Sequence, residues 1–160
     1  MTPETTPSAL FRLSPNTLPE RPPFAPTQAV GAVVSFEGIV RDNNDGKKVV
    51  ELEYSAYPAL AEREGSRIVR ESIERFGLLA GYCVHRVGKL RPGDVAVRVW
   101  AAATHRREAF RACERIIDEV KATVPIWKRE VYANGDEAWV TCEGGATTHE
   151  PDYRDEHLPP

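Results

Sequence analysis

The sequence lacks any long apolar run and contains only three cysteines, and each scarcity excludes a class of protein. No stretch approaches the roughly 20 consecutive apolar residues that a membrane-spanning helix needs. The amino terminus has no basic segment followed by an apolar one, so it lacks the pattern of a secretory signal. We therefore expect a cytoplasmic protein that does not contact membranes. Cys83, Cys113 and Cys142 lie about 30 residues apart, a spacing that fits neither a zinc site nor a disulfide framework.

An excess of positive charge is also missing. The formal net charge is −3 at pH 7, which argues against a general nucleic-acid-binding protein. The chain contains no P-loop, no GxGxxG and no GxSxG motif, and no cluster of His, Cys and carboxylate residues stands out. We therefore expect neither a metal nor a cofactor. With 160 residues, of which 41% are hydrophobic, the chain is large enough for one domain with a buried core.

Proline is concentrated at the amino terminus, where residues 1–28 hold seven of the 13 prolines. Proline removes backbone donors and restricts its neighbours, so we expect an extended or irregular segment in which ALFRLS forms one short edge strand. Residues 29–143 have the pattern of an α+β domain. Residues 144–160 are polar and predict a frayed tail.

The order of elements in residues 29–143 is predicted to be β-β-α-β-β-α-β-β. The segments VGAVVSFEGIVRD and VVELEYSAY, joined by an Asp-Gly turn, predict a hairpin. GYCVHRVGKL predicts a single strand, and IWKREVYA with EAWVTCE predicts a final hairpin. We expect an α+β fold with a mainly antiparallel sheet and helices packed on one face, an α/β hammerhead-like sandwich.

Two helices are predicted between these strands. Pro58 begins the first helix and Gly77 ends it. The second runs from about Thr104, which we expect to be its N-cap, to Lys121. Its apolar positions share one face and comprise Phe110, Cys113, Ile117 and Val120.

Cations surround the start of this second helix. His105, Arg106 and Arg107 lie at the positive end of the helix dipole, which costs a few tenths of a kcal/mol per exposed charge. The long side chains could simply extend away from the helix end. Free N–H groups, the dipole and the cations could instead hold an anion such as phosphate. The local sequence leaves both interpretations open.

Lys121 lies at the other end of the helix. It follows Phe110 by 11 residues, or three turns, so both residues project to the same side, which places a lysine on the apolar stripe. Such a lysine could bind the last carbonyl groups of the helix. If it is partly desolvated, its pKa falls and it is suited to proton transfer or nucleophilic attack.

Further polar residues flank the strands. Trp127 and Lys128 alternate along a strand and face opposite sides of the sheet, with Trp127 interpreted as core. Arg41 ends the first strand and either pairs with a nearby acid or serves a site. His85, in the middle of a strand, is interpreted as a structural histidine. Taken without further comparison, the residues indicate a cationic pocket suited to anions.

Five segments carry a family resemblance: GAVVSFEGIVRDNN, YPALAE, HRVGKLRPGD, THRREAF and KATVPIWKRE. In this order, over about residues 29–142, they resemble the large, catalytic subunit of molybdopterin synthase. The last segment is the most specific, because a lysine, a proline, a tryptophan and Lys-Arg-Glu at that spacing are hard to meet by chance.

The resemblance implies a sulfurtransferase of molybdenum cofactor biosynthesis. Such an enzyme converts cyclic pyranopterin monophosphate into molybdopterin by installing two dithiolene sulfurs. A small ubiquitin-like partner subunit delivers the sulfur as a thiocarboxylate on its C-terminal Gly-Gly. The resemblance further implies a homodimer of large subunits within a heterotetramer.

The resemblance also assigns roles to residues of this sequence. Lys121 and Lys128 match the catalytic lysines of the family. The residues that match its substrate-binding positions are Arg41, His105, Arg106, Arg129 and Glu130.

Three other functions use some of the same residues. One is a non-enzymatic module whose basic groove binds the C-terminal tail of a ubiquitin-like protein. Another is a hydrolase or transferase for a different phosphorylated metabolite. A third, single-stranded nucleic-acid binding, would use Trp127 and Tyr132 to stack bases, and the acidic net charge disfavours it.

Overall fold

A computed structural model describes residues 9–140 and 146–147. Cys142 and most of the predicted tail therefore lie outside the described residues. The elements are β1 (Ala9–Ser14), β2 (Ala32–Ile39), β3 (Asn43–Asn44), β4 (Lys47–Ala56), α1 (Pro58–Phe76), β5 (Ala80–Arg86), β6 (Gly88–Leu90), β7 (Val95–Ala103), α2 (Arg106–Thr123), β8 (Ile126–Tyr132), β9 (Glu137–Val140) and β10 (Ala146–Thr147). Neither described helix is long and apolar enough to cross a membrane.

The first of two sheets carries both helices on one face. Its strand order is β1-β5-β7-β2, antiparallel except where β1 pairs with β5 in parallel. Helix α1 packs against β1 and β5, and α2 packs against β7 and β2. The main core lies between the two helices and this sheet, where Phe11, Ile68, Val99 and Ile116 are almost completely buried. The predicted α+β fold, with helices on one face of a mainly antiparallel sheet, is confirmed.

The opposite face of this sheet is covered by the proline-rich segment. Leu18 and Phe24 pack on Tyr82 and Trp100, whose rings stack with their centroids 5.6 Å apart. Arg98 donates a 2.7 Å hydrogen bond from Nη1 to the carbonyl oxygen of Pro19. The segment thus adds an apolar cover to the sheet without forming a helix.

The second sheet has the order β10-β9-β8-β4-β3, and β6 also pairs with β4. The predicted hairpin of β8 and β9 is confirmed. The predicted hairpin of β2 and β4 is wrong, because β2 pairs with β7 while β4 pairs with β8 and β3. A register shift between Gly38 and Ile39 ends the regular pairing of β2. The Val40 N–H then bonds to the carbonyl oxygen of Asp94, and the chain leaves the first sheet.

The segment GYCVHRVGKL also divides between the sheets. Gly88 has a φ of +91°, a conformation that favours glycine, and it begins β6 two residues after β5 ends at Arg86. Strand β5 stays in the first sheet, whereas β6 pairs Leu90 with Leu52 of the second. The single strand predicted here is therefore wrong, and the chain crosses between the sheets just after His85.

The helix ends follow the sequence in part. Pro58 begins α1, and Gly77 ends it with a φ of +62°, as predicted. The N-cap of α2 is His105 rather than Thr104, and its side chain makes no capping hydrogen bond.

The apolar face predicted for α2 is right at Cys113, Ile117 and Val120, but Phe110 is 61% exposed. The buried stripe is centred near Val120, and Phe110 and Lys121 project to the same side of it, by roughly 80° and 100° around the helix.

Candidate functional site

A cavity of about 190 Å³ lies where the two sheets meet. One side is formed by the end of β2 and the turn after it, including Arg41 and Asn44. Tyr54 of β4 and His85 of β5 line its interior, and α2 and β8 complete it. Because β2 and β5 belong to one sheet and β4 and β8 to the other, the cavity depends on the arrangement of both.

Among the residues that the structure describes, three cationic side chains line this cavity: Arg41, Lys121 and Lys128. Lys121 lies in the last turn of α2, where the helix dipole favours a positive charge. It is exposed rather than on the apolar stripe, so the partial desolvation considered from the sequence is not found. Among the described residues, neither Arg41 nor Lys121 forms an ion pair, so the expected pairing of Arg41 with a nearby acid is not seen.

Glu130 is the one carboxylate among the described lining residues of the cavity, and it is only 3% exposed. Its Oε1 lies 3.4 Å from the Nζ of Lys128. Its Oε2 accepts hydrogen bonds of 2.9 Å from Asn44 Nδ2 and 2.9 Å from the Tyr132 hydroxyl. Burial, followed by the hydrogen bond to Glu130, raises the pKa of Tyr132 to about 12. The carboxylate therefore holds Lys128 and the β3 turn in place, and it offsets one of the three positive charges.

His85 lines the same cavity, a position that its mid-strand place in the sequence did not reveal. Its Nδ1 lies 2.7 Å from the carbonyl oxygen of Arg86, and its ring meets Tyr54 edge to face at 4.7 Å. Burial lowers the pKa of His85 to about 4, and the charges of Lys121 and Lys128 lower it further, against the hydrogen bond to Arg86. The imidazole is therefore neutral near pH 7.

His105 and Arg106 lie elsewhere. They are exposed at the first residues of α2, whereas Lys121 occupies its last turn. At 1.5 Å per residue, the helix separates His105 from Lys121 by roughly 24 Å. The cavity of one chain therefore does not contain the His-Arg pair.

Arg129 also lies outside the cavity lining. It falls between Lys128 and Glu130 on β8, so its side chain projects to the opposite face of the strand. Its guanidinium contacts Glu137 at 3.0 Å and Glu53 at 3.3 Å. Of the seven residues that the family resemblance singled out, the structure gathers four in one cavity and places three elsewhere. Within the described residues, no group of three or more His, Cys, Asp or Glu side chains is placed to hold a metal.

Comparisons with known proteins identify a family to which this chain is similar. The family model described as MoaE protein matches residues 17–123. The molybdopterin synthase catalytic subunit of Oryza sativa subsp. indica is 48% identical over 111 residues, which cover 69% of this chain and 57% of the rice protein. The corresponding protein of Pyrococcus abyssi is 46% identical over 114 residues, covering 71% of this chain and 76% of that protein. This chain thus spans little more than half the length of the rice relative.

A solved structure agrees with these sequence relatives. The crystal structure of molybdopterin synthase from Staphylococcus aureus superimposes with a TM-score of 0.72 at 35% identity, covering 81% of this chain and 94% of the other. The similarity in structure thus extends beyond the residues that the family model matches.

Proposed function

The chain belongs to the MoaE family, and on that basis we propose that it is the catalytic subunit of molybdopterin synthase. In this proposal it is a sulfurtransferase of molybdenum cofactor biosynthesis that acts on cyclic pyranopterin monophosphate. A small ubiquitin-like subunit brings the sulfur as a C-terminal thiocarboxylate. A cytoplasmic location remains a prediction.

The cavity supports this proposal through its charge. Its described lining has a formal charge of +2, from Arg41, Lys121 and Lys128 against Glu130, because His85 is neutral. Both reactants are anions, one a cyclic phosphate and the other a thiocarboxylate. Cations placed before the reaction begins stabilise negative charge that develops on the phosphate and on an acyl oxygen. This excess of positive charge in a cavity with two lysines is the observation that carries the proposal.

The reaction proposed for this cavity begins with attack of the thiocarboxylate sulfur on the pterin side chain, forming a carbon–sulfur bond. The carbon–oxygen bond to the cyclic phosphate breaks as this bond forms, so the phosphate oxygen takes the electron pair and Arg41 neutralises its charge. Water then hydrolyses the resulting thioester, which returns the partner's carboxylate and leaves the sulfur on the pterin. Lys121 is exposed to the cavity and carries no ion pair among the described residues, so it is available to move a proton or to stabilise the acyl oxygen. Lys128 acts beside it, oriented by Glu130.

His105 and Arg106 fit this reaction only if they come from a second copy of the chain. The family resemblance assigns them to the substrate site, yet α2 separates them from Lys121 by roughly 24 Å within one chain. In the proposed twofold dimer, the start of α2 of one copy lies at the cavity of the other. We therefore include a homodimer with shared sites in the proposal.

The direct test mixes the chain with its thiocarboxylated small partner and the cyclic precursor, and follows the gain of two sulfurs by mass spectrometry. Product that depends on both additions supports the proposal. A folded chain that binds the partner but yields no product contradicts it and favours a non-enzymatic module that binds the partner's tail.

Substitution of Lys121 by Ala should abolish turnover and leave the fold intact. The matched control is Lys89→Ala, since Lys89 is a lysine outside the cavity lining that pairs with Glu51 at 3.6 Å on the surface. The control should retain turnover. Near-normal turnover of the Lys121 variant, or its unfolding, contradicts the assignment.

Mixed dimers test the shared site. His105→Ala and Lys121→Ala dimers should each be inactive, but a mixed dimer holds one cavity with both residues intact. Random mixing makes half of the dimers mixed, so about a quarter of the wild-type activity should return. If both residues serve the same chain, mixing restores nothing.

A further inference from the structure

The two ring nitrogens of His85 are in different situations. Nδ1 lies 2.7 Å from the carbonyl oxygen of Arg86, and a carbonyl oxygen only accepts, so Nδ1 carries the hydrogen. A neutral imidazole has one such hydrogen, so Nε2 has a free lone pair. Within the described residues, no hydrogen bond to Nε2 is found. His85 thus presents an acceptor that has no partner among the residues that the structure describes.

The other charged side chains of the cavity do not offer such an acceptor. Arg41, Lys121 and Lys128 only donate. Glu130 can accept, but both of its oxygens already contact Lys128, Asn44 or Tyr132. Donors therefore suit the anionic part of a ligand, whereas Nε2 suits a group that carries a hydrogen. Nε2 is not fully enclosed by protein, so a donor group of a ligand in the cavity can reach it.

We propose that Nε2 of His85 accepts a hydrogen bond from an N–H or O–H group of the pterin precursor and so helps to select it over other anions of similar charge. The inference rests on the proposed function and adds a specificity-determining residue to it. A cavity with cations alone would hold any organic phosphate of suitable size. The added acceptor requires a donor at a fixed position in the ligand.

The surroundings of His85 keep this acceptor available. Lys121 faces it from α2, Lys128 from β8 and Tyr54 from β4, and the carbonyl oxygen of Arg86 fixes Nδ1. Burial and both lysine charges lower the pKa of His85 to about 4. Precursor binding should therefore show no loss of this contact between pH 6 and pH 8.

Two substitutions separate the roles of the two nitrogens. In His85→Asn, the side-chain amide can replace the Nδ1 donor to Arg86 but cannot reach the position of Nε2. In His85→Gln, the amide oxygen can reach the position of Nε2, but the Nδ1 donor is lost. The proposal predicts that the precursor dissociation constant rises about tenfold in His85→Asn and less than about threefold in His85→Gln. A purely structural role predicts the reverse order.

Binding of the precursor is measured by isothermal titration at pH 7, with the fold of each variant checked by thermal unfolding. Sulfate, which is anionic and carries no hydrogen at this pH, serves as a competing probe. Its affinity should be the same in wild type and in His85→Asn. Equal precursor affinity in wild type and His85→Asn, the reverse order of the two variants, or a parallel loss of sulfate affinity overturns the inference.

The binding titration and the sulfur-transfer assay together separate this inference from the proposed function. Wild type that binds the precursor but gives no sulfur transfer with the thiocarboxylated partner contradicts the proposed function and leaves the His85 comparison valid. Wild type that does not bind the precursor overturns both.

Discussion

Lys128 and Glu130 project from the same face of β8, and the lysine Nζ lies 3.4 Å from the carboxylate Oε1. They are two residues apart, the spacing at which strand side chains return to one face. Arg129 between them projects to the other face and contacts Glu53 and Glu137. The strand thus places Lys128 and Glu130 on its cavity side and Arg129 on the other side.

Glu130 should matter more to stability than Glu137, although both pair with neighbouring cations of β8. Glu130 is 3% exposed, and its Oε2 also accepts two hydrogen bonds. Replacing it with Gln weakens the contact to Lys128 and should lower the free energy of unfolding by about 1–3 kcal/mol. Glu137→Gln, in an exposed pair, should cost less than about 1 kcal/mol. Urea unfolding of both variants at pH 7 measures the difference, and equal losses would contradict it.

Arg41 and Arg129 should differ in their effect on precursor binding. Arg41 lines the cavity without an ion pair among the described residues, so Arg41→Ala should weaken precursor affinity about tenfold. Arg129 is held on the opposite face, so Arg129→Ala should leave the affinity within about twofold and lower the unfolding free energy by up to about 1 kcal/mol. Isothermal titration measures both affinities. A comparable loss of precursor affinity in the two variants would mean that Arg129 contributes to the substrate site.

Acid should destabilise the chain through His85. Burial holds the pKa of His85 at about 4 in the folded state, below the ordinary value near 6.5 of the unfolded chain. As the pH falls through this window, the unfolded state takes up the proton first, so stability is lost. From pH 7 to pH 5 the contribution amounts to about 2 kcal/mol.

His85→Gln removes this titration and leaves the carboxylates unchanged, so it is the reference for the measurement. Unfolding free energies of both proteins at pH 7, 6 and 5 should diverge, with wild type losing more. Parallel pH profiles would contradict this by showing that His85 takes up its proton at the same pH in the folded and unfolded states.

Gly65 should be intolerant of alanine. A Cβ there would overlap the ring of Phe11, which is only 1% exposed. Alanine is favoured over glycine in a helix by about 1 kcal/mol. Overpacking typically costs about 1–3 kcal/mol, and the rigid ring offers little room, so we expect a net loss of about 1–2 kcal/mol. Chemical denaturation measures it.

Phe11→Leu provides the matched test of this contact, because it removes the ring that the Cβ would meet. The double variant Phe11→Leu/Gly65→Ala should lose less stability than the sum of the two single variants. If the two losses of stability add exactly, the cost of Gly65→Ala does not come from contact with the Phe11 ring.

Features that depend on neighbouring residues could be predicted from the sequence. Pro58 and Gly77 act within one turn of the helix that they begin and end, and the β8–β9 turn needs only its own residues. The partners of β2 and β4 could not be predicted in this way. They depend on the register shift at Gly38 and on strands far along the chain.

The site, like the fold, could be predicted from the sequence only in part. The cations of the helix and strand ends were visible as an unusual cluster, and three of them share the cavity. His85 was missed because a histidine within an apolar strand resembles core, and its position depends on the turn at Gly88. The distance between His105 and Lys121 follows from the length of α2, but whether they serve one site depends on how two chains meet.

The junction of the sheets also bears on the order in which the molecule folds. The hydrogen bond between Asn44 and Glu130 joins positions 86 apart in sequence. Closing so large a loop costs conformational entropy and is therefore slow. The hydrogen bond becomes favourable only after β8 has paired with β4. The cavity should therefore be completed late, after the helix-covered sheet has collapsed. A nascent chain would thus be compact before its cavity is complete.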